Sequence, residues 1–221
     1  VATGRDVRGG EEAVRLVREA GGEGIFVPHD ICDEKQWENV FTLTMTRFGP
    51  LHGLVNNAGS FFVKPIADTS EADYDAIYAV NVEGTFLGIK HAFRDFARNA
   101  VAGSIVNVSS LMGQVGYPNA VAYCASKGAV TAMTKTAAME GAAMSPKVRV
   151  NSLHPGVIWT PMITDTFGDD HALADAFAAD TPLRMIGLPE YMADAIVFLL
   201  GEDAAYMTGA ELAADGGRGA D

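Results

Sequence analysis

The sequence is poor in three things, and each shortage narrows the reading. It holds two cysteines, Cys32 and Cys124, in 221 residues. That pair offers neither a metal-ligand spacing nor a disulfide framework, so no metal is assigned and a reducing compartment is expected. No apolar run approaches the roughly 18 residues a membrane-spanning helix needs, and no leader peptide is visible at Val1, which points to the cytoplasm. Cations are also scarce: 16 Lys and Arg face 28 Asp and Glu, a net charge of −12. Such a balance argues against nucleic acid or an anionic membrane as partner. His29, His52, His91, His154 and His171 show no ligand spacing and read as structural or surface residues.

What remains is the composition of a globular chain, 48% hydrophobic and 20% charged, of a length that fits one domain spanning 1–221. Short apolar runs near 1–3, 24–28, 51–55, 104–108, 148–153 and 211–215 predict strands. Helical periodicity is expected over 11–20, 34–48, 71–78, 82–97, 123–144 and 190–200, with a long irregular stretch to 186. Strand and helix alternate, which predicts an α/β fold: a parallel sheet covered by helices on both faces. Ligands of such sheets sit outside the carboxyl ends of the strands. The residues to examine are therefore Gly4-Arg5, Asp30, Asn56 to Gly59, Ser109-Ser110 and Pro155-Gly156.

One stretch, Tyr123-Cys124-Ala125-Ser126-Lys127, carries recognisable chemistry. A tyrosine and a lysine four residues apart share a helix face. A fixed ammonium favours the phenolate, so the Tyr123 pKa is expected below its usual value of about 10. That makes Tyr123 a candidate general acid/base, although the pair alone also occurs in ordinary helices. Ser110, just past a strand, offers a hydroxyl near the start of the Tyr123 helix; it equally suits a turn cap. Asn81 is an amide between Val80 and Val82, either functional or a helix-stabilising bond. A serine hydrolase reading of Ser110 fails for want of a Gly-x-Ser-x-Gly elbow.

Taken together, the residues resemble the short-chain dehydrogenase/reductase family. The matching pieces are Asn56-Asn57-Ala58-Gly59, Asn81-Val82-Glu83-Gly84, Asn107-Val108-Ser109-Ser110, Tyr123 to Lys127, Asn151 to Gly156 with Thr160, and Thr208-Gly209-Ala210-Glu211 with Asp215-Gly216-Gly217. They stand in the family's order and cover nearly the whole chain. The segments Gly4-Arg5 and 148–156 are similar to those of bacterial secondary-alcohol dehydrogenases, including R-specific alcohol, cyclopentanol and hydroxysteroid dehydrogenases. The resemblance implies a Rossmann-like, doubly wound, three-layered domain and hydride transfer between NAD(P)(H) and a secondary alcohol or ketone. Tyr123 would be the acid/base and Lys127 would lower its pKa and hold the nicotinamide ribose. Ser110 would orient the substrate oxygen, and Asn81 would hold a water linking Lys127 to solvent.

The resemblance also implies cofactor contacts. Asp30 and Ile31 would meet the adenine, and Asn57, Ala58 and Gly59 would line the adenosine side. Val157 and Thr160, after Pro155 and Gly156, would meet the carboxamide. An acidic residue that would bind the 2′-hydroxyl of NAD is missing at Gly4, and Arg5 follows; a guanidinium suits a 2′-phosphate. NADP is favoured over NAD, unless Asp6 turns inward. The helices from 82 and from 123 resemble those that pair subunits into family tetramers. Some relatives bind magnesium at a C-terminal glutamine, where this chain has Asp221.

One family feature is absent. The pyrophosphate-cradling Thr-Gly-x-x-x-Gly-x-Gly turn has no counterpart, because the glycines of Thr3 to Gly10 fall at other offsets. The expectation is a sequence that starts at the end of the family's second strand, with a gap in the sheet. A non-catalytic Rossmann-like binding or regulatory subunit is the alternative if that absence is genuine. Residues 159–186 should form a substrate lid. Trp159 and Met162 there, with Met112, Gln114 and Tyr117, are candidates for an apolar pocket suited to an alicyclic, steroid-like or aryl ketone; ordinary lid packing would use the same residue types.

Overall fold

A computed structural model describes residues 1–220, so Asp221 lies outside the described residues. Its first strand, β1 (Ala2–Gly4), pairs in parallel with β2 (Phe26–Pro28), joined by helix α1 (Val7–Glu19). Helix α1 starts earlier than periodicity predicted. Asp6 caps it, its carboxylate accepting from the Arg8 amide at 3.1 Å, and Gly9-Gly10 fall inside the first turns. Gly10 is needed there: a Cβ would lie 2.0 Å from the Phe26 ring.

After α2 (Glu34–Phe48) the chain enters the main sheet, whose order is β3 (Gly53–Asn56), β4 (Gly103–Val108), β5 (Val148–Pro155) and β6 (Glu211–Ala214), all parallel. No ladder joins this sheet to β1–β2 among the described residues. A cleft of about 680 Å³ lies between, walled by Ala2 and Thr3 on one side and by Leu54 and Val55 on the other, with Trp37 between them. Among the described residues the parallel strands thus form two ladders.

The connection from β3 to β4 runs through α3 (Glu71–Tyr78), a wide π-helical turn over Ala79–Gly84, and α4 (Thr85–Asn99). Ser70 and Asp73 form a reciprocal capping box at the start of α3. Helix α5 (Val121–Ala143) packs on β5, where Gly141 leaves room for the Val148 carbonyl. The lid stretch is not irregular throughout. It contains α6 (Pro161–Phe167), opened by proline at its first position, and α7 (His171–Ala179), capped by Asp170. Helix α8 (Pro189–Leu200) then covers the sheet before β6. No described helix is long and apolar enough to cross a membrane.

The core lies under both helical layers. Phe96, Ile105, Val148 and Val150 form one cluster, and Val106, Leu153 and Leu199 another. Each such large apolar side chain contributes about 1.5–3 kcal/mol on burial. Several buried polar groups are paired across the elements, whereas His29 Nε2 and Asn99 Nδ2 are buried without a partner among the described residues. Asn56 donates to Asn107 at 2.8 Å, and Asn107 donates to Thr134 at 2.9 Å, tying β3, β4 and α5 together. The Arg149 guanidinium donates to the carbonyls of Leu199, Leu200 and Gly201 at the end of α8, where Leu199 also accepts from the Ser104 hydroxyl at 3.1 Å.

Candidate active site

The carboxyl ends of β3, β4 and β5 open onto one cavity of about 570 Å³. Ser110, Tyr123 and Lys127 all line it. Ser110 follows β4 and stays extended, its hydroxyl accepting from the Met112 amide at 3.1 Å. Tyr123 and Lys127 sit on the first two turns of α5, and both are buried. The start of α5 is locked to β4 by Ser109, whose hydroxyl donates to the Lys127 carbonyl at 2.9 Å. Gly113 allows that closeness, because a Cβ there would lie 2.9 Å from the Lys127 carbonyl.

The electrostatics differ from the expectation for Tyr123. Burial pushes its pKa up to about 12, and the hydrogen bond with the Ser110 hydroxyl opposes this only in part. The Lys127 ammonium does not touch the phenol oxygen. It donates to the Val108 carbonyl at 2.9 Å, and Nζ lies 5.7 Å from the Tyr123 ring centre. Burial also weakens that cation, bringing the Lys127 pKa down to about 8. Desolvation is the dominant cause at both residues.

Asn81 is fully buried in the π-helical turn. Its amide oxygen accepts from the Ser60 amide at 2.8 Å, and its Nδ2 donates to the Ser60 carbonyl at 3.0 Å and to the Ser126 hydroxyl at 2.9 Å. The side chain therefore fixes the loop after β3 onto α5. It stands beside Lys127: a Cβ on Gly59 would be 3.3 Å from Asn81 Oδ1 and 3.5 Å from Lys127 Nζ.

The other expected positions divide in two. Asn57, Gly59, Pro155, Gly156, Val157 and Thr160 line the cavity, as do Met112, Tyr117 and Met162. Gln114 and Trp159 do not; the Gln114 amide is bonded to Glu211 at 2.6 Å, which turns it from the cavity. Ala58 faces the cleft between the two ladders, beside Ile31. Gly4 is open, with nothing within 4 Å of an added Cβ, and Arg5 next to it is exposed. Asp6 is engaged in capping α1, so it does not supply the inward carboxylate at Gly4. Asp30 closes the turn after β2, accepting from the Cys32 amide at 3.0 Å. The Ile31 side chain packs on Gly84.

Sequence reasoning missed part of the wall. Leu111, Val115, Met192, Ile196 and Arg218 also line the cavity. The apolar face of α8 was the available signal for Met192 and Ile196. Arg218 gave none, being brought in by the turn after β6, where it pairs with Asp180. Phe61 meets the Tyr123 ring edge-on with centres 4.8 Å apart.

The arrangement places two hydroxyls and a buried ammonium along one side of an apolar chamber. The family profile described as enoyl-(acyl carrier protein) reductase matches residues 1–218. This chain belongs to the short-chain dehydrogenase/reductase family. An NADP-dependent (R)-specific alcohol dehydrogenase of Lentilactobacillus kefiri is 38% identical over 98% of this chain and 85% of its own length. A cyclopentanol dehydrogenase of Comamonas testosteroni is 40% identical over 94% of this chain and 82% of its own. Among solved structures, a gluconate 5-dehydrogenase from Burkholderia cenocepacia in complex with NADP and tartrate superposes with a TM-score of 0.89. It is 25% identical and matches over 100% of this chain and 85% of its own. In this family member the glycine at 59 leaves space beside Lys127, and Arg5, which does not line the chamber, is free of any carboxylate partner among the described residues.

Proposed function

We propose that this oxidoreductase is an NADP-dependent secondary-alcohol dehydrogenase and ketone reductase. The observation that carries the reading is the convergence of Ser110, Tyr123 and Lys127 on one apolar cavity. A substrate oxygen within reach of both hydroxyls would accept a hydrogen bond from Ser110 and a proton from Tyr123. With its pKa raised, Tyr123 is protonated at neutral pH, the form required of an acid in ketone reduction. In the oxidative direction the phenolate would take the alcohol proton, and the nearby Lys127 ammonium would favour it. Asn81 supports this pair by fixing the Ser60 loop and, through Ser126, the first turns of α5.

NADP, when bound, supplies or accepts the hydride at the substrate carbon. Arg5 would pair with its 2′-phosphate, with Asp30 and Ile31 at the adenine and Asn57, Ala58 and Gly59 along the adenosine side. Lys127 and Tyr123 would meet the nicotinamide ribose, and Val157 and Thr160 the carboxamide. The chamber wall of Phe61, Met112, Tyr117, Met162 and Phe167 favours an alicyclic, steroid-like or aryl ketone. Residues 159–186 would act as its lid within one domain. Exposed Phe86 on α4 and Met139 on α5 support pairing of these helices in a homotetramer. Unpaired Cys32 and Cys124 accord with a cytoplasmic, reducing environment. No observation favours the non-catalytic subunit. The test is NADPH and NADH consumption across a panel of cyclic, steroid and aryl ketones. Turnover preferring NADPH is expected; oxidation of neither cofactor with any ketone would overturn the reading.

A further inference from the structure

We infer that His154, outside the cavity, is a positioning residue for Ser110, held as the neutral Nδ1–H tautomer by the elements behind the site. The inference deepens the proposed function and rests on it for its kinetic consequence. His154 is fully buried on β5, next to the strand that delivers Ser110. Its Nδ1 lies 3.0 Å from the Ser110 carbonyl oxygen. A carbonyl only accepts, so Nδ1 carries the proton and donates it. Its Nε2 lies 2.8 Å from the Ser152 hydroxyl, two residues back on the same face of β5, and accepts from it. The other acceptor open to Ser152, the Ala210 carbonyl, is farther at 3.4 Å.

The groups around the ring are fixed in turn. Glu211 on β6 approaches Nε2 only to 3.9 Å. Its carboxylate is already held by Gln114 at 2.6 Å and by Lys135 of α5. Burial is the chief cause opposing a charged imidazole, and Lys135 and Lys127, both on α5, add to it against the pull of Glu211 and the Ser110 carbonyl. The ring thus stays neutral between two fixed partners. The Ser110 carbonyl accepts from the Gly113 amide at 2.9 Å as well, so both of its lone pairs are filled. The peptide plane of Ser110 is thus clamped on both sides, and the Met112 amide, donating at 3.1 Å, holds the hydroxyl that this backbone presents toward Tyr123.

Two variants and one spectrum test this. His154→Leu keeps bulk but removes the donor; His154→Asn restores an amide N–H near the Nδ1 position. His154→Leu should lower kcat roughly 10- to 100-fold, the scale of a small misplacement of a reacting group, with NADPH affinity kept within about twofold. His154→Asn should recover most of the loss. Unchanged kcat in His154→Leu, or equal losses in both variants, would overturn the assignment. In wild-type protein, 15N imidazole shifts should show His154 as the Nδ1–H tautomer at neutral pH. An Nε2–H tautomer or a charged ring would overturn it without recourse to activity. A wild-type chain inactive on every ketone would count against the proposed function alone, since the tautomer would still decide the role of His154.

Discussion

Lys127 gives its hydrogen bond to the Val108 carbonyl at 2.9 Å, and its nitrogen stands 5.7 Å from the centre of the Tyr123 ring. The lysine is therefore tied to the strand that leads into Ser110, with no hydrogen bond to the phenol oxygen among the described residues. Removing the phenol should leave this anchor intact. Tyr123→Phe is expected to reduce turnover by about 10²- to 10⁴-fold, the usual contribution of a general acid/base, with NADPH affinity nearly unchanged. Fluorescence titration beside steady-state kinetics checks both halves. Retained turnover would remove Tyr123 from the mechanism.

Burial of Lys127 also makes a prediction about stability against pH. Its folded pKa, about 8, lies below its ordinary value of 10.5. Between those values the unfolded chain binds the proton and the folded chain does not, so stability rises with pH across that window. Tyr123 acts in the opposite sense higher up. Its folded pKa of about 12 exceeds its ordinary 10, so its contribution is full below pH 10 and is lost as pH climbs toward 12. Urea unfolding from pH 7 to 11 should show a rise and then a decline. Lys127→Met should flatten the rise and raise stability at pH 7.

The contact of α5 with β5 gives a packing prediction. A Cβ on Gly141 would stand 2.5 Å from the Val148 carbonyl oxygen, a backbone atom that cannot rotate aside. Gly141→Ala should cost about 1–3 kcal/mol, as overpacking does, and lower the melting temperature. An unchanged melting temperature would mean that α5 can slide on the sheet.

Arg5 carries the cofactor prediction. Arg5→Ser should weaken NADPH binding by about 10- to 100-fold, the loss of a charge-assisted bond, and leave NADH binding little changed. Equal effects on both cofactors would show that Arg5 does not meet the 2′-phosphate.

Much of this site was readable because its residues follow strands, and strand ends are marked by short apolar runs. Ser110, Tyr123, Lys127 and Gly59 all follow from that rule together with family order. Boundaries were less visible where backbone hydrogen bonding changes without a change of residue type. Helix α4 starts at Thr85 rather than near 82 because Ala79–Gly84 is wound as a π-helical turn, which leaves no trace in apolar periodicity. The start of α1 was hidden by Gly9 and Gly10, which are usually read as breakers; here Gly10 makes room for the Phe26 ring and Gly9 lies against the capping Asp6 carboxylate. The pKa of Tyr123 was misjudged because spacing reveals a neighbouring charge but not the depth of burial. His154 looked incidental because the carbonyl it holds belongs to Ser110, 44 residues away in sequence.

The separation of β1–β2 from the main sheet has a kinetic consequence. Regions with few shared backbone bonds open independently of the rest, as cooperative units of lower stability. Amides of Thr3 and Val27 should therefore exchange with solvent through sub-global openings, while those of Ile105 and Val150 should await global unfolding. Arg5 and Asp30 ride on the looser unit; Tyr123 and Ser110 belong to the tighter one. In this 221-residue chain the backbone beside Arg5 and Asp30 should therefore exchange well before that beside Ser110.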